Sequence, residues 1–116
     1  MNFEDKGSLF FDKNILQSIV YSATKETQGV AGMADNLANK LTKIVHKDAE
    51  SGVKIKYTDF GIVIDVYVVV EQNVVVNDIV YKIQQNIKSN IQSMIDIPIK
   101  AINVHIMDVA KINANN

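Results

Sequence analysis

The sequence predicts an α+β domain: a small antiparallel sheet of three to four strands with two long helices on one face, in the order α-(α)-β-β-α-β. Three observations predict it. The run "IVIDVYVVV", residues 62–70, has eight of nine residues β-branched or aromatic, which is strand composition. Val76, Val80, Ile83, Ile87, Ile91 and Met94 recur at spacings of 4, 3, 4, 4 and 3, the apolar stripe of an amphipathic helix. The only proline, Pro98, stops that helix before a last alternating run.

Each element follows from local chemistry. Residues 1–8 read as a loosely ordered N-terminus, and Leu9, Phe10 and Phe11 as an edge strand or a staple onto the first helix. Asp12 or Asn14 supplies an N-cap, because a short polar side chain accepts from orphan backbone N–H groups. Leu16, Ile19, Val20 and Ala23 then keep helical spacing, and Gly29 is placed as a left-handed C-cap. "GVAGMAD" leads to a short helix over 35–46 with Leu37, Leu41, Ile44 and Val45, and "HKDAESG" is a polar loop.

"VKIKYT", residues 53–58, alternates Val53, Ile55 and Tyr57 against Lys54, Lys56 and Thr58. Asp59-Phe60-Gly61 turns the chain, with glycine free to take positive φ, so the two runs form a hairpin. In the second run Ile62, Ile64, Val66, Val68 and Val70 share the core face, and Val63, Asp65, Tyr67 and Val69 the other. Asn77 is the expected N-cap of the long helix, with Asp78 favourable in its first turn. The last strand, 101–109, sets Ile102, Val104 and Ile106 against Asn103, His105 and Met107. The chain reads as a single domain over 9–110 with a frayed tail at 111–116.

Composition narrows the chemistry. At 116 residues a single core is sufficient, and the lack of cysteine removes disulfides, thiolate metal sites and thiol nucleophiles. Net charge is −1 and all twelve basic residues are lysine. Without arginine the chain lacks the planar fork that grips phosphates and stacks on bases, which weighs against nucleic acid as a partner. No apolar run reaches the ~20 residues of a bilayer span, and the acidic "MNFEDKGSLFF" is not a signal peptide, so the expected location is cytoplasmic.

The second face of the sheet is the feature that an ordinary core leaves unexplained. It is neither cleanly polar nor cleanly apolar. Val63, Tyr67, Val69, His105 and Met107 are the candidate interaction face, forming an apolar patch with a charged rim if the long strand neighbours the last one. His46 falls in a polar loop; His105 with Asp65 is weighed as a metal pair and set below a surface histidine. "DFG" at 59–61 is a hairpin turn, no phosphate-binding or nucleophile-elbow motif occurs, and the acids form no dyad. No catalytic residue, cofactor or metal is assigned. "GVAG", Gly29, Val30, Ala31 and Gly32, is a G-x-x-G before a hairpin and a helix. It supports an alternative reading as a KH-like loop that clamps single-stranded nucleic acid.

The ordered set "TQGVAGMADNLANKL", "GVKIKYTDFGIVIDVYVVVEQNVVVNDIVYKIQQNIKSNIQSMI" and "INVHIMDV" resembles the alkaline-shock-protein, or envelope stress response, family of Gram-positive and related bacteria. Gly29-Val30, Gly52-Val53, Gln84-Ile87-Ile91 and Asn103-Val104-His105-Ile106 fill the positions of its pattern over about residues 9–109. Two departures stand out: Ile95-Asp96 where Thr-Gly is common, and Gln72-Asn73 where a glycine usually lies. Asparagine also adopts left-handed φ, so that turn can survive. The resemblance implies a non-enzymatic cytoplasmic protein that self-associates and gathers beneath the membrane through a membrane-anchored protein partner. Within the family it also implies an alternative role, as a regulatory partner of a fatty-acid-synthesis enzyme.

Overall fold

The computed structural model describes residues 12–34 and 52–111. The elements are α1 (Lys13–Lys25), β1 (Val30–Met33), β2 (Val53–Thr58), β3 (Gly61–Glu71), α2 (Val76–Met94) and β4 (Ile99–Ala110). The expected succession of helix, hairpin, long helix and last strand is present, with β1 added ahead of the hairpin. The expected apolar segment at 9–11, the helix at 35–46, the loop with His46 and the tails at 1–8 and 112–116 lie outside the described residues.

β3 is the axis of the sheet. On one edge it pairs with β4 from Ile62↔Ile99 to Glu71↔Ala110. On the other it takes two short strands in tandem: β2 against Gly61–Val66 and β1 against Val68–Val70. The β1 and β2 pairs are antiparallel, as expected, but β4 runs parallel to β3. The α+β class therefore holds with a mixed sheet. The physical reason is the connection. β3 reaches β4 through α2, and a crossover helix returns the chain to the end of the sheet where the preceding strand began.

A second correction concerns the G-x-x-G segment. Val30, Ala31 and Gly32 are strand, not loop: Val30 pairs with Val70 and Gly32 with Val69, around an irregularity at Ala31. Their backbone is engaged with β3, so the segment does not have the form of the loop on which the KH-like alternative rests. Gly29 does take positive φ, at 100°, but it opens β1 and does not cap α1, which ends at Glu26 in right-handed geometry.

The helices bury the faces their spacing predicts, with shifts at the ends. Asp12 is the N-cap of α1, its Oδ1 accepting from the Asn14 N–H at 2.8 Å. Leu16, Val20 and Ala23 are buried below it, and Ile19 packs against the same core. In α2 the buried line is Ile79, Ile83, Ile87 and Ile91. Val76 and Met94, the expected ends of the stripe, are 43% and 63% exposed; Ile79 and Ile95 occupy the core there instead. The N-cap is Val75, which makes no side-chain capping bond, where Asn77 is expected. Thr27 joins the helices: its hydroxyl donates to the Ala23 carbonyl at 2.9 Å and accepts from Asn86 Nδ2 at 2.9 Å.

Against these helices lies one sheet face made of Val53, Ile55, Ile62, Ile64, Val66, Val68 and Val70, each no more than 1% exposed. Strand alternation puts them there, and the turns hold the register. Gly61 closes the Thr58–Gly61 hairpin at φ 127°, and its carbonyl accepts from the Thr58 hydroxyl. Asn73 is the only non-glycine with positive φ among the described residues, at 67°, so asparagine does make the left-handed turn between β3 and α2.

The buried line of α2 makes a direct prediction. Ile87→Ala removes a fully buried side chain and should lower unfolding free energy by about 2–5 kcal/mol in urea titrations. Met94→Ala, at the expected but exposed end of the stripe, should change it by less than about 0.5 kcal/mol. Equal losses would contradict this assignment of the core face.

Candidate protein-interaction face

The reverse of the sheet is set by the same alternation. Val63, Asp65, Tyr67 and Val69 of β3 are all half-buried, between neighbours that are buried on the core side. The parallel register brings Asn103 opposite Asp65 and His105 opposite Tyr67. β2 adds Lys54 opposite Asp65 and Lys56 opposite Val63, and β1 adds Gly32 opposite Val69. Met107 falls at a bulge, between Ile106↔Val68 and Asp108↔Val69, and is 39% exposed. All five residues of the expected face, Val63, Tyr67, Val69, His105 and Met107, thus come from two adjacent strands.

The centre of this face is a bonded polar cluster. Asp65 Oδ1 lies 2.8 Å from His105 Nε2 and accepts from Asn103 Nδ2 at 3.2 Å. The Tyr67 ring stacks on the His105 ring with centroids 4.4 Å apart and planes 10° from parallel. The His105 and Asp65 side chains are 41% and 20% exposed, so the pair is open to solvent on one side. Burial, and secondarily the nearby Asp65 carboxylate, raises the Tyr67 phenol pKa above its usual value of about 10.

The backbone beneath the cluster is fixed. The Tyr67 carbonyl accepts from the Ala34 N–H at 2.9 Å, where β1 ends. Gly52, at φ 74°, passes close to the same carbonyl: a Cβ there would lie 2.9 Å from it and 3.2 Å from the Ala34 nitrogen. Both ends of the segment between β1 and β2 therefore meet under Tyr67. A side chain at residue 52 would displace the strand that carries the stacked pair.

Chemically the arrangement offers contact more than reaction. The carboxylate holds both the imidazole and the carboxamide through one oxygen, and among the described residues no three His, Asp or Glu side chains converge as metal ligands. The apolar members flank this centre along both strands. Tyrosine and methionine are enriched at protein interfaces. Sequence reasoning named His105 but left Asp65 and Asn103 out of the site. The missing signal was the β3–β4 register, which depends on a parallel pairing that alternation alone does not specify.

The sequence profile of the alkaline-shock-protein-23 family, described by a cell envelope-related function, matches residues 1–111. The chain belongs to this family. As an alkaline-shock-protein-family member it resembles the uncharacterised YqhY of Bacillus subtilis, at 32% identity over 94% of this chain and 83% of that protein. It also resembles the uncharacterised Spy1614 of Streptococcus pyogenes serotype M6, at 28% identity over 94% of this chain and 93% of that one. Among solved structures, MamM-CTD aligns with TM-score 0.56 and 16% identity, covering 84% of this chain and 99% of that one. The zinc form of a MamM CTD variant aligns with TM-score 0.56 over 85% and 87%. At that identity the likeness is one of fold. Among the described residues no helix of this family member is long and apolar enough to cross a membrane.

The raised Tyr67 phenol has a pH consequence. Its folded pKa lies above the unfolded one, so its stabilisation is complete below pH ~10 and is lost as pH rises through the folded value. Tyrosinate absorbance of the parent minus that of Tyr67→Phe should show ionisation above the usual pH. Asp65→Asn should lower it only part of the way, because burial is the larger cause. A difference curve centred at the ordinary value would contradict the packing at this face.

Proposed function

We propose that this chain is a non-enzymatic scaffold of the cell envelope response, built by self-association, whose reverse sheet face docks an envelope-associated protein. The observation that supports the reading most is the composition of that face. Val63, Tyr67, Val69 and Met107 present apolar surface around a polar centre that is already internally bonded. A partner covering this face removes apolar area from water, at about 25 cal/mol per Å². It leaves the Asp65–His105 bond in place, and the remaining polar atoms of the pair need partners on the docked protein. Lys54 and Lys56 at the β2 side give a cationic rim that favours an acidic edge on the partner.

In this reading the partner is anchored in the membrane and the chain acts from the cytoplasmic side; the family's envelope-related function supports it. Docking to a lipid-synthesis enzyme would use the same face and the same physics. The reading assigns no catalytic residue, cofactor or metal ion.

A photo-crosslinking amino acid placed at residue 69 or, as control, at residue 88 on the outer side of α2 tests this in cells of the source. Residue 69 should capture a discrete envelope-associated protein, and Tyr67→Glu in the same chain should reduce the yield by more than about tenfold while circular dichroism shows the variant still folded. Equal products from residues 69 and 88, or capture untouched by Tyr67→Glu in a folded chain, would count against docking at this face.

A further inference from the structure

β4 is a long strand with one side unpaired among the described residues. Among the described residues it pairs with β3 alone. Its other edge spans twelve residues, Ile99–Ala110, without proline or glycine. Such an edge is a template for another strand. The core also runs out along it. Ile64, Val66 and Val68 of β3 are 0% exposed, while their partners Ile102, Val104 and Ile106 are only half-buried. The apolar row thus continues to the edge, where the described residues cover it only in part.

The sequence of this edge complements itself. Two copies of β4 running antiparallel about a two-fold axis at Val104 place Ile102 opposite Ile106 and Asn103 opposite His105. One step further Ala101 meets Met107, and Lys100 meets Asp108, opposite charges at both ends. β4 bulges at Lys100, between Ile99↔Ile62 and Ala101↔Val63, and again at Met107. The two-fold sets the Lys100 bulge opposite Asp108 and the Met107 bulge opposite Ala101, so the two irregularities fall one position apart. A two-fold interface requires a surface that matches its own rotated copy, and this strand does so in charge and in apolar content.

We infer that the β4 edge is the surface through which two copies of this chain join, antiparallel about Val104, extending the sheet across both. The inference rests on the self-association part of the proposed function and gives it a geometry. The joined sheets bury the Ile102–Ile106 row and leave the reverse faces side by side, so that Tyr67 and Val69 of both copies remain available. Existing contacts at this edge are compatible with the pairing. Gln84 Nε2 donates to the Ile102 carbonyl at 3.0 Å, which leaves a second lone pair. Lys100 Nζ rests 5.8 Å from the Phe60 ring centroid, and Asp108 Oδ1 accepts from the Val109 N–H, both exposed local contacts.

A charge exchange tests it. Sedimentation equilibrium of the full chain should give a monomer–dimer equilibrium. Lys100→Glu alone and Asp108→Lys alone should each weaken it about tenfold, since each puts like charges at two symmetric places. The double variant should recover to within about threefold of the parent. Circular dichroism and melting temperature confirm that each variant is folded. As an independent readout, amides of β4 should exchange more slowly in concentrated than in dilute parent protein. A dimer unaffected by the single exchanges, or a double variant as weak as the singles, overturns the β4 edge while leaving self-association standing. Dissociation by Val69→Glu in place of the charge variants would assign the dimer to the reverse face. A parent that stays monomeric at millimolar concentration defeats both the edge and the self-association part of the function. Concentration-independent protection of β4 amides means that another segment of this chain holds the edge, and it too overturns the inference.

Discussion

Everything in this domain depends on β3 being paired along both edges. Its eleven residues hold β4 on one side and β2 with β1 on the other, so its backbone is committed and its side chains have only two directions to go. One set, from Ile62 to Val70, meets the helices; the other, from Val63 to Val69, forms the reverse face. A slip of one residue would exchange the two sets, burying Asp65 and exposing Ile64. The core and the candidate interface are therefore consequences of the same register. Anything that loosens the turns at Gly61 or beneath Tyr67 affects both.

Alternation and helical spacing made most of the fold legible. The hairpin, the long helix, its middle isoleucines and the two faces of β3 follow from residue types whose periodicities are unambiguous. The ends were harder because burial there is decided by what lies alongside. Ile79, not Val80, meets the sheet, and Met94 extends past it. β1 was hidden because four residues with two small ones carry no strand periodicity, and only the free edge of β3 makes strand the better state for them. The parallel β4 was hidden for a related reason. Periodicity reports which face a residue lies on and says nothing about strand direction.

The candidate site shows the same division. Its apolar members could be read from the sequence because they break the polar–apolar alternation of an ordinary open face. Its polar centre was legible only in part: Asp65 and His105 could be weighed together as a metal pair, but their hydrogen bond, and that of Asn103, follows from the β3–β4 register. The bonded centre matters for function. It fixes the orientation of the charge-bearing groups on a partly apolar face. Membership of a family with a cell envelope-related function gives that surface a setting.

The claim underlying this account is that the chain itself leaves the reverse face of β3 open. The most direct measurement is solvent paramagnetic relaxation, by NMR with a neutral soluble probe, of the side chains along β3 in dilute protein. The account predicts alternation: Val63, Tyr67 and Val69 strongly relaxed by the probe, and Ile62, Ile64, Val66 and Val68 protected. Uniform protection of both sets in the monomer would mean that the chain's own segments cover the face, and it would contradict the account.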